Sequence, residues 1–318
     1  MRCAARLAGT AGQSRMSARS DSRQALQRVG YLGPEGTFSE EALLASVPAE
    51  TVEPVGLATI YDTIAALREG FVRWAIVPIE NSLEGSISVT LDELADDAGD
   101  LEIVGEAVLR VRHSLIAAEM LGLEEIETVM THPQVPGQCT RLLHGELAAA
   151  RILPASSTAE AVRAVLAEGA RGASAIGTPL AAQIYGGTVI RSGVEDRDDN
   201  ETRFVWLART GEQERLRPLH EPAPEWKTSL VFWGLGAKRP GWLVECLDEF
   251  ARREINLTKI ESRPRRERLG SYMFFADITG EVGEQHVAAA IEGIRARCEE
   301  VRVLGSYRAA PAPLAQAG

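Results

Sequence analysis

The hydrophobic pattern changes kind at one place, and that break limits the fold more than any other feature of the chain. Over residues 211–225 the sequence carries Pro218, Pro222 and Pro224 among charged residues, a composition that suits neither a helix nor an inner strand. Before the break, from Val29 to Arg209, short apolar runs alternate with stretches of helical spacing. Residues 74–77, 101–111 and 173–176 read as strands. Residues 38–46, 57–69, 138–147 and 157–168 read as helices, the last with Ser157 or Thr158 as N-cap and Glu160 in its first turn. Strands alternating with helices argue an α/β fold on mainly parallel sheet.

Beyond the break the order is strand 228–233, helix 242–253, strands 255–261 and 271–278, helix 285–298 and strand 301–307. This βαββαβ order is the ferredoxin-like arrangement. Its helices cover one face of the sheet, so the bare face is expected to meet a second copy, and a dimer follows. The expected organisation is a disordered extension 1–27, an α/β domain 28–210, a linker 211–226, a ferredoxin-like domain 227–308 and a disordered tail 309–318. The extension is rich in Arg and Ser with Asp21 as its one acid; it fits a transit peptide, a disordered arm, or a start of translation at Met16.

With 34 basic and 45 acidic side chains the net charge is −11, which argues against general nucleic-acid binding. An anionic ligand must then be held by a local pocket, because the overall field repels it. The charge-free run 172–190 has nearly the length of a membrane span, but Pro179, Gln183 and its glycines make it strand, turn and short helix. No membrane association is expected. Cys3, Cys139, Cys246 and Cys298 are widely spaced, which fits a reducing compartment, and no residues stand at metal-ligand spacing.

Polar clusters follow several of the strands, where open α/β sheets bind ligands. Gly33-Pro34-Glu35-Gly36-Thr37-Phe38-Ser39 opens a helix with Thr37 and Ser39 beside free N–H groups, which suits an anion; alone it reads as well as a simple turn with an N-cap. It has neither the GxGxxG nor the Walker spacing, so no nucleotide is implied. Asn81 and Ser82 can hydrogen-bond a carboxylate or hydroxyl, and Glu80 fits a structural carboxylate or a poised acid. Gln134 lies in a third cluster with His132 and Gln138; His132 and His113 fit loop and packed-strand roles as well as proton transfer. Thr202 and Arg203 open a strand and offer a hydroxyl donor and a planar fork, but alternation puts them on opposite faces. Gly234-Leu235-Gly236 reads as a turn, not a dinucleotide loop.

Taken in this order the segments closely resemble the prephenate dehydratases that carry a C-terminal regulatory ACT domain. The matching stretches are 31–39, 77–82, His132-Pro133-Gln134 with Gln138-Cys139, Thr202-Arg203-Phe204, 256–264 and Gly270-Ser271-Tyr272. The resemblance implies an α/β catalytic domain like type II periplasmic binding proteins, two lobes with the site between them. It implies loss of carboxylate and ring hydroxyl from prephenate to give phenylpyruvate, CO2 and water, without a cofactor. It further implies a lyase of cytoplasmic phenylalanine biosynthesis, a homodimer or homotetramer, inhibited by L-phenylalanine.

By the same resemblance Thr202 is catalytic, and Thr37, Phe38, Ser39, Glu80, Asn81, Ser82, Gln134, Arg203 and Phe204 bind substrate. Gly241, Trp242, Leu243, Glu261, Ser262, Arg263 and Pro264 would bind the effector, with Trp242 standing where the family usually has alanine. The rival readings are arogenate dehydratase and a non-catalytic amino-acid sensor; the intact Thr202-Arg203-Phe204 argues against the sensor.

Overall fold

The computed structural model describes residues 26–95, 99–212, 223–234, 239–267, 269–311 and 313–314. Most of the expected extension 1–27, the centre of the linker and the turn at Gly236 lie outside them. The first lobe holds β1 (Gln27–Leu32), α1 (Phe38–Ser46), β2 (Val52–Leu57), α2 (Ile60–Arg68), β3 (Trp74–Asn81), the short β4 (Gly85–Ser86), α3 (Ser88–Leu94) and β5 (Leu101–Arg110). The second holds β6 (Ser114–Ala117), β7 (Thr128–Thr131), β8 (Arg151–Pro154), α4 (Thr158–Glu168), β9 (Ala173–Gly177), α5 (Pro179–Tyr185) and β10 (Thr188–Ser192). The chain then returns to the first lobe as β11 (Glu201–Arg209).

The sheet orders are β2-β1-β3-β11-β5 and β10-β6-β9-β7-β8. Apart from the short β4, which pairs antiparallel with β3, each sheet carries one reversed strand beside an edge strand: β11 runs antiparallel to β3 and β5, and β6 antiparallel to β9 and β10. The expected mainly parallel pattern is therefore interrupted where the chain changes lobe. The two crossings pair with each other, Val111 N donating to Asn200 O and Val194 N to His113 O.

Local chemistry sets the element ends. Ser157 Oγ caps α4 by accepting from Glu160 N at 3.0 Å, as its sequence indicates. Helix α2 begins at Ile60, not at 57, because Thr59 caps it by accepting from Asp62 N, and Leu57 belongs to β2. The helix expected over 138–147 is replaced by a 3-10 turn, Val135–Gln138, and a π turn, Leu142–Glu146. Between the two, Asp196 takes the N–H groups of Thr140 and Arg141 at 2.8 and 2.9 Å, which breaks the helical ladder.

The C-terminal domain comprises β12 (Trp226–Trp233), α6 (Trp242–Ala251), β13 (Leu257–Pro264), β14 (Tyr272–Thr279), α7 (Gln285–Arg295) and β15 (Glu300–Arg308), in sheet order β13-β14-β12-β15. Leu230, Phe232 and Ile278 face α6 and α7 and pack with Trp242, Phe250 and Ile291. The opposite face does not wait for a second copy. Val231, Phe275, Leu304 and Tyr307 form one core with Ile64, Leu67, Val77, Ile103 and Leu207 of the first lobe. Gly305 makes this docking close: a Cβ there would stand 2.2 Å from Ile103 O. The tail is also engaged, since Leu314 pairs with Leu109 and its N–H donates to Val108 O.

Candidate active site

Two neighbouring rungs of β3 and β11 put polar side chains at the lobe junction. Asn81 pairs with Thr202 and Glu80 with Arg203, and the register shifts immediately afterwards, so that Phe204 opposes Pro78. Pro78, which has no N–H to donate, sits at that bulge. The Asn81 amide donates to Thr202 Oγ1 and Asn200 Oδ1, both at 2.9 Å, and its Oδ1 accepts from the N–H groups of Leu83 and Glu84, also at 2.9 Å. Ser82 Oγ accepts from Glu201 N at 2.9 Å and secures the same corner.

From this corner polar contacts run into the second lobe. Asn200 Nδ2 donates to Gln138 Oε1 at 3.2 Å, and His113 Nε2 lies 3.1 Å from the same oxygen. Glu84 spans the cleft, accepting from Gln134 Nε2 and Gln138 Nε2 at 3.4 Å each. Burial holds the His113 pKa below the ordinary histidine value, so the ring is neutral and donates through Nε2. Its ring stands nearly perpendicular to that of Phe38 with centroids 5.4 Å apart, and its Nδ1 has no hydrogen-bond partner among the described residues.

The loop of Thr37 and Ser39 lies against α5 of the second lobe. Thr178 Oγ1 donates to Gly36 O at 2.6 Å, and Tyr185 Oη donates to Glu35 O at 2.9 Å. Thr37 Oγ1 donates back to Leu32 O at 2.9 Å and does not cap α1, which leaves the first N–H groups of that helix to other partners. Burial raises the Glu40 pKa, although its carboxyl accepts from Gly36 N at 2.5 Å.

Three residues expected at the substrate lie elsewhere. Phe204 is buried in the core under α1 with Leu43 and Trp206. Arg203 and Glu80 face the C-terminal domain: Arg203 Nη2 is 2.6 Å from Asp277 Oδ2 and Nη1 is 3.3 Å from Glu80 Oε2, while Lys259 Nζ is 3.1 Å from Glu80 Oε1. Strand alternation is the reason, since Thr202 takes the cleft face and Arg203 must take the other.

The residues expected to bind an effector also divide. Gly241, Trp242 and Leu243 line a cavity of 170 Å³ together with Tyr272 and Phe274. Trp242 is itself buried, donating from Nε1 to Arg297 O at 2.8 Å. Glu261 and Arg263 turn to the first lobe instead: Glu261 Oε2 accepts from Ser86 Oγ at 3.2 Å, and Arg263 binds Asp92 at 2.7 Å. Ser262 and Pro264 are exposed. A second cavity, of 350 Å³, opens between Asp92 and Arg266, away from Thr202.

The sequence profile described as prephenate dehydratase matches residues 29–212. A curated prephenate dehydratase from Mycobacterium tuberculosis is 38% identical over 297 residues, covering 91% of this chain and 89% of its own. The chain belongs to the prephenate dehydratase family. A crystal structure of the Arthrobacter aurescens prephenate dehydratase in complex with L-Phe is similar throughout, with a TM-score of 0.78 and 35% identity over 90% of this chain and 92% of that one. A structure described as GqqA, a novel type of quorum quenching acylase, has a TM-score of 0.77 and 27% identity over 90% of this chain and 99% of its own.

Within the prephenate dehydratase fold, Thr178, Glu106, Asp277 and Lys259 escaped the sequence reading. Thr178 had a signal, a threonine directly before Pro179 at a helix start. The others had none, because their partners are set by how two domains dock.

Proposed function

We propose that this chain performs the reaction for which its family is named: prephenate loses its ring carboxylate as CO2 and its ring hydroxyl as water, leaving phenylpyruvate. The observation that carries this reading is the Asn81–Thr202 hydrogen bond. Because Thr202 Oγ1 accepts from the Asn81 amide at 2.9 Å, its own proton is free to point into the cleft. That hydroxyl donates to the departing ring oxygen as negative charge builds on it. A threonine is too weak an acid to give up its proton outright, so the proton that completes the water comes from solvent or a neighbour. The electron pair of the breaking carbon–carboxylate bond enters the ring, and the carbon–oxygen bond takes its pair away. Aromatisation drives both changes, so no cofactor is required. The first N–H groups of α1, with Ser39, and the Ser82–Asn200 corner are the groups we assign to the two carboxylates.

Assays of purified protein with prephenate, arogenate and an N-acyl amide test the reading. Rapid formation of phenylpyruvate from prephenate supports it. Preference for arogenate moves the substrate to the amino analogue, and hydrolysis of the acyl amide alone overturns it.

The C-terminal domain we read as an ACT module that takes L-phenylalanine as effector, with the cavity beside Gly241, Trp242 and Leu243 supporting the assignment. A homodimer or homotetramer would form along β13, an edge strand where Ile260 and the neighbouring Tyr272 and Val244 are exposed. We place the enzyme in the cytoplasm; among the described residues no helix is long and apolar enough to cross a membrane.

A further inference from the structure

We propose that Asp277, in the C-terminal domain, is a positioning residue for the reaction, fixing Arg203 and thereby the neighbouring Thr202 hydroxyl. The inference rests on Thr202 being the catalytic group. Each residue of the Asn81–Thr202 pair has a chain neighbour in the next rung, Glu80 and Arg203, and both neighbours are gripped from the other domain. Arg203 has a side chain only 12% exposed, with Nη2 2.6 Å from Asp277 Oδ2. Its Nε lies 3.3 Å from Glu106 Oε2, and Glu106 in turn holds Lys227 of β12 at 2.7 Å. Lys259 Nζ reaches Glu80 and also donates to Ser86 Oγ at 2.6 Å. Asp277 is itself oriented: its Oδ1 accepts from Ser229 Oγ at 2.5 Å, and Ser229 Oγ lies 2.8 Å from Tyr307 Oη.

The cations Arg203, Lys227 and Lys259 thus interleave with the carboxylates Glu80, Glu106 and Asp277. Burial works against the Arg203 charge, yet Asp277, Tyr307 and Glu106 hold its pKa above the ordinary value. A buried network of this kind is a poor source of stability but a strict one of geometry. The bulge between Arg203 and Phe204 breaks the register of β11 with β3 directly behind Thr202, while on the other side β11 keeps its register with β5 from Glu201 to Trp206. Side chains anchored in β13 and β14 add their grip on the bulged side, at Glu80 and Arg203.

The test is steady-state kinetics of the full-length enzyme. Asp277→Asn keeps the shape and removes the charge; kcat should fall roughly tenfold or more, the size of effect a displaced catalytic group produces. KM should stay within about twofold, because the cleft carboxylate contacts are untouched. Asp92→Asn releases Arg263 and Arg266 elsewhere in the same interface, and kcat should stay within about twofold of wild type. In an Arg203→Met background, Asp277→Asn should lower kcat no further. Ser229→Ala, which frees Asp277 without changing charge, should lower kcat about threefold and covers the case in which Asp277→Asn does not fold. Equal losses in Asp277→Asn and Asp92→Asn would reduce the network to domain glue and overturn the proposal, as would normal kcat in Asp277→Asn or Ser229→Ala. Thr202→Ala run alongside separates the two claims. Turnover retained there overturns both, whereas turnover lost there with Asp277→Asn normal overturns only the positioning role.

Discussion

Gly36 and Ala181 bring the two lobes together backbone to backbone. A Cβ on Gly36 would stand 2.8 Å from Ala181 Cα, and the glycine has φ +82, a conformation that side chains resist. The contact seats α5 against the Thr37 loop and fixes the width of the cleft at that end. Gly36→Ala should therefore both strain the loop and wedge the lobes apart. We expect a loss of about 2 kcal/mol in urea unfolding, with KM raised and kcat less affected. An unchanged KM would show that the contact does not set the cleft.

Thr202→Ala removes a donor that matters mainly when the leaving oxygen becomes charged. Turnover should fall on the order of 10² or more with KM close to normal. Thr202→Ser keeps the hydroxyl and should recover most of the loss. Near-normal turnover in Thr202→Ala would exclude it as the catalytic group.

Asn81→Asp is a sharper probe than alanine. The new carboxylate still accepts from Leu83 and Glu84, so the turn survives, but it no longer donates to Thr202. Instead it accepts the Thr202 proton and draws it from the substrate. We expect kcat to fall as far as in Thr202→Ala, with a lowered melting temperature because the new oxygen also faces Asn200 Oδ1 and Glu201 O. If kcat is preserved, the orientation of the Thr202 hydroxyl is irrelevant.

His113 carries a pH signature. Burial lowers its folded pKa from the ordinary 6.5, so the unfolded chain takes up a proton that the folded chain refuses. Its contribution is complete above that value and is lost as pH falls through the ordinary and then the folded pKa. The slope over that window approaches about 1.4 kcal/mol per pH unit for one proton. Urea titrations at a series of pH values from neutral to acid should show it. His113→Gln should flatten that slope, and an equal slope in both proteins would assign it to other groups.

Trp242 packs against Phe232 and Phe274 at ring distances of 6.2 and 5.9 Å. Its truncation is first a core deletion. Trp242→Ala should cost about 3–5 kcal/mol of stability, and Trp242→Phe, which loses chiefly the Arg297 hydrogen bond, about 1 kcal/mol. Phenylalanine titrations of activity belong with Trp242→Phe, where the domain stays folded; identical inhibition curves would remove the indole from effector recognition.

Much of this was written in local pattern. The βαββαβ order, the Ser157 cap and the placement of Asn81 and Thr202 at strand ends all follow from spacing and turn chemistry that act over a few residues. Failures came where a distant group decided. Asp196 dissolves the helix expected at 138–147, and Asp277 claims the guanidinium that looked suited to a substrate carboxylate. Alternation said that Thr202 and Arg203 face apart, but not which of them faces the cleft. A bare sheet face likewise announces that something must cover it and does not say whether the cover is a second chain or this one.

The packing of Gly305 on Ile103 bears on how portable the C-terminal domain is. Leu304 and Tyr307 share a core with Ile103, Val77 and Leu207, so the cut suggested by the proline-rich segment would pass through continuous hydrophobic packing. A graft of the equivalent module from another protein would meet a catalytic sheet shaped for these side chains and for a missing Cβ. The transplantable piece of this molecule is larger than its C-terminal domain: it includes the outward face of β5, and any chimera that ignores that face inherits a mismatched seam.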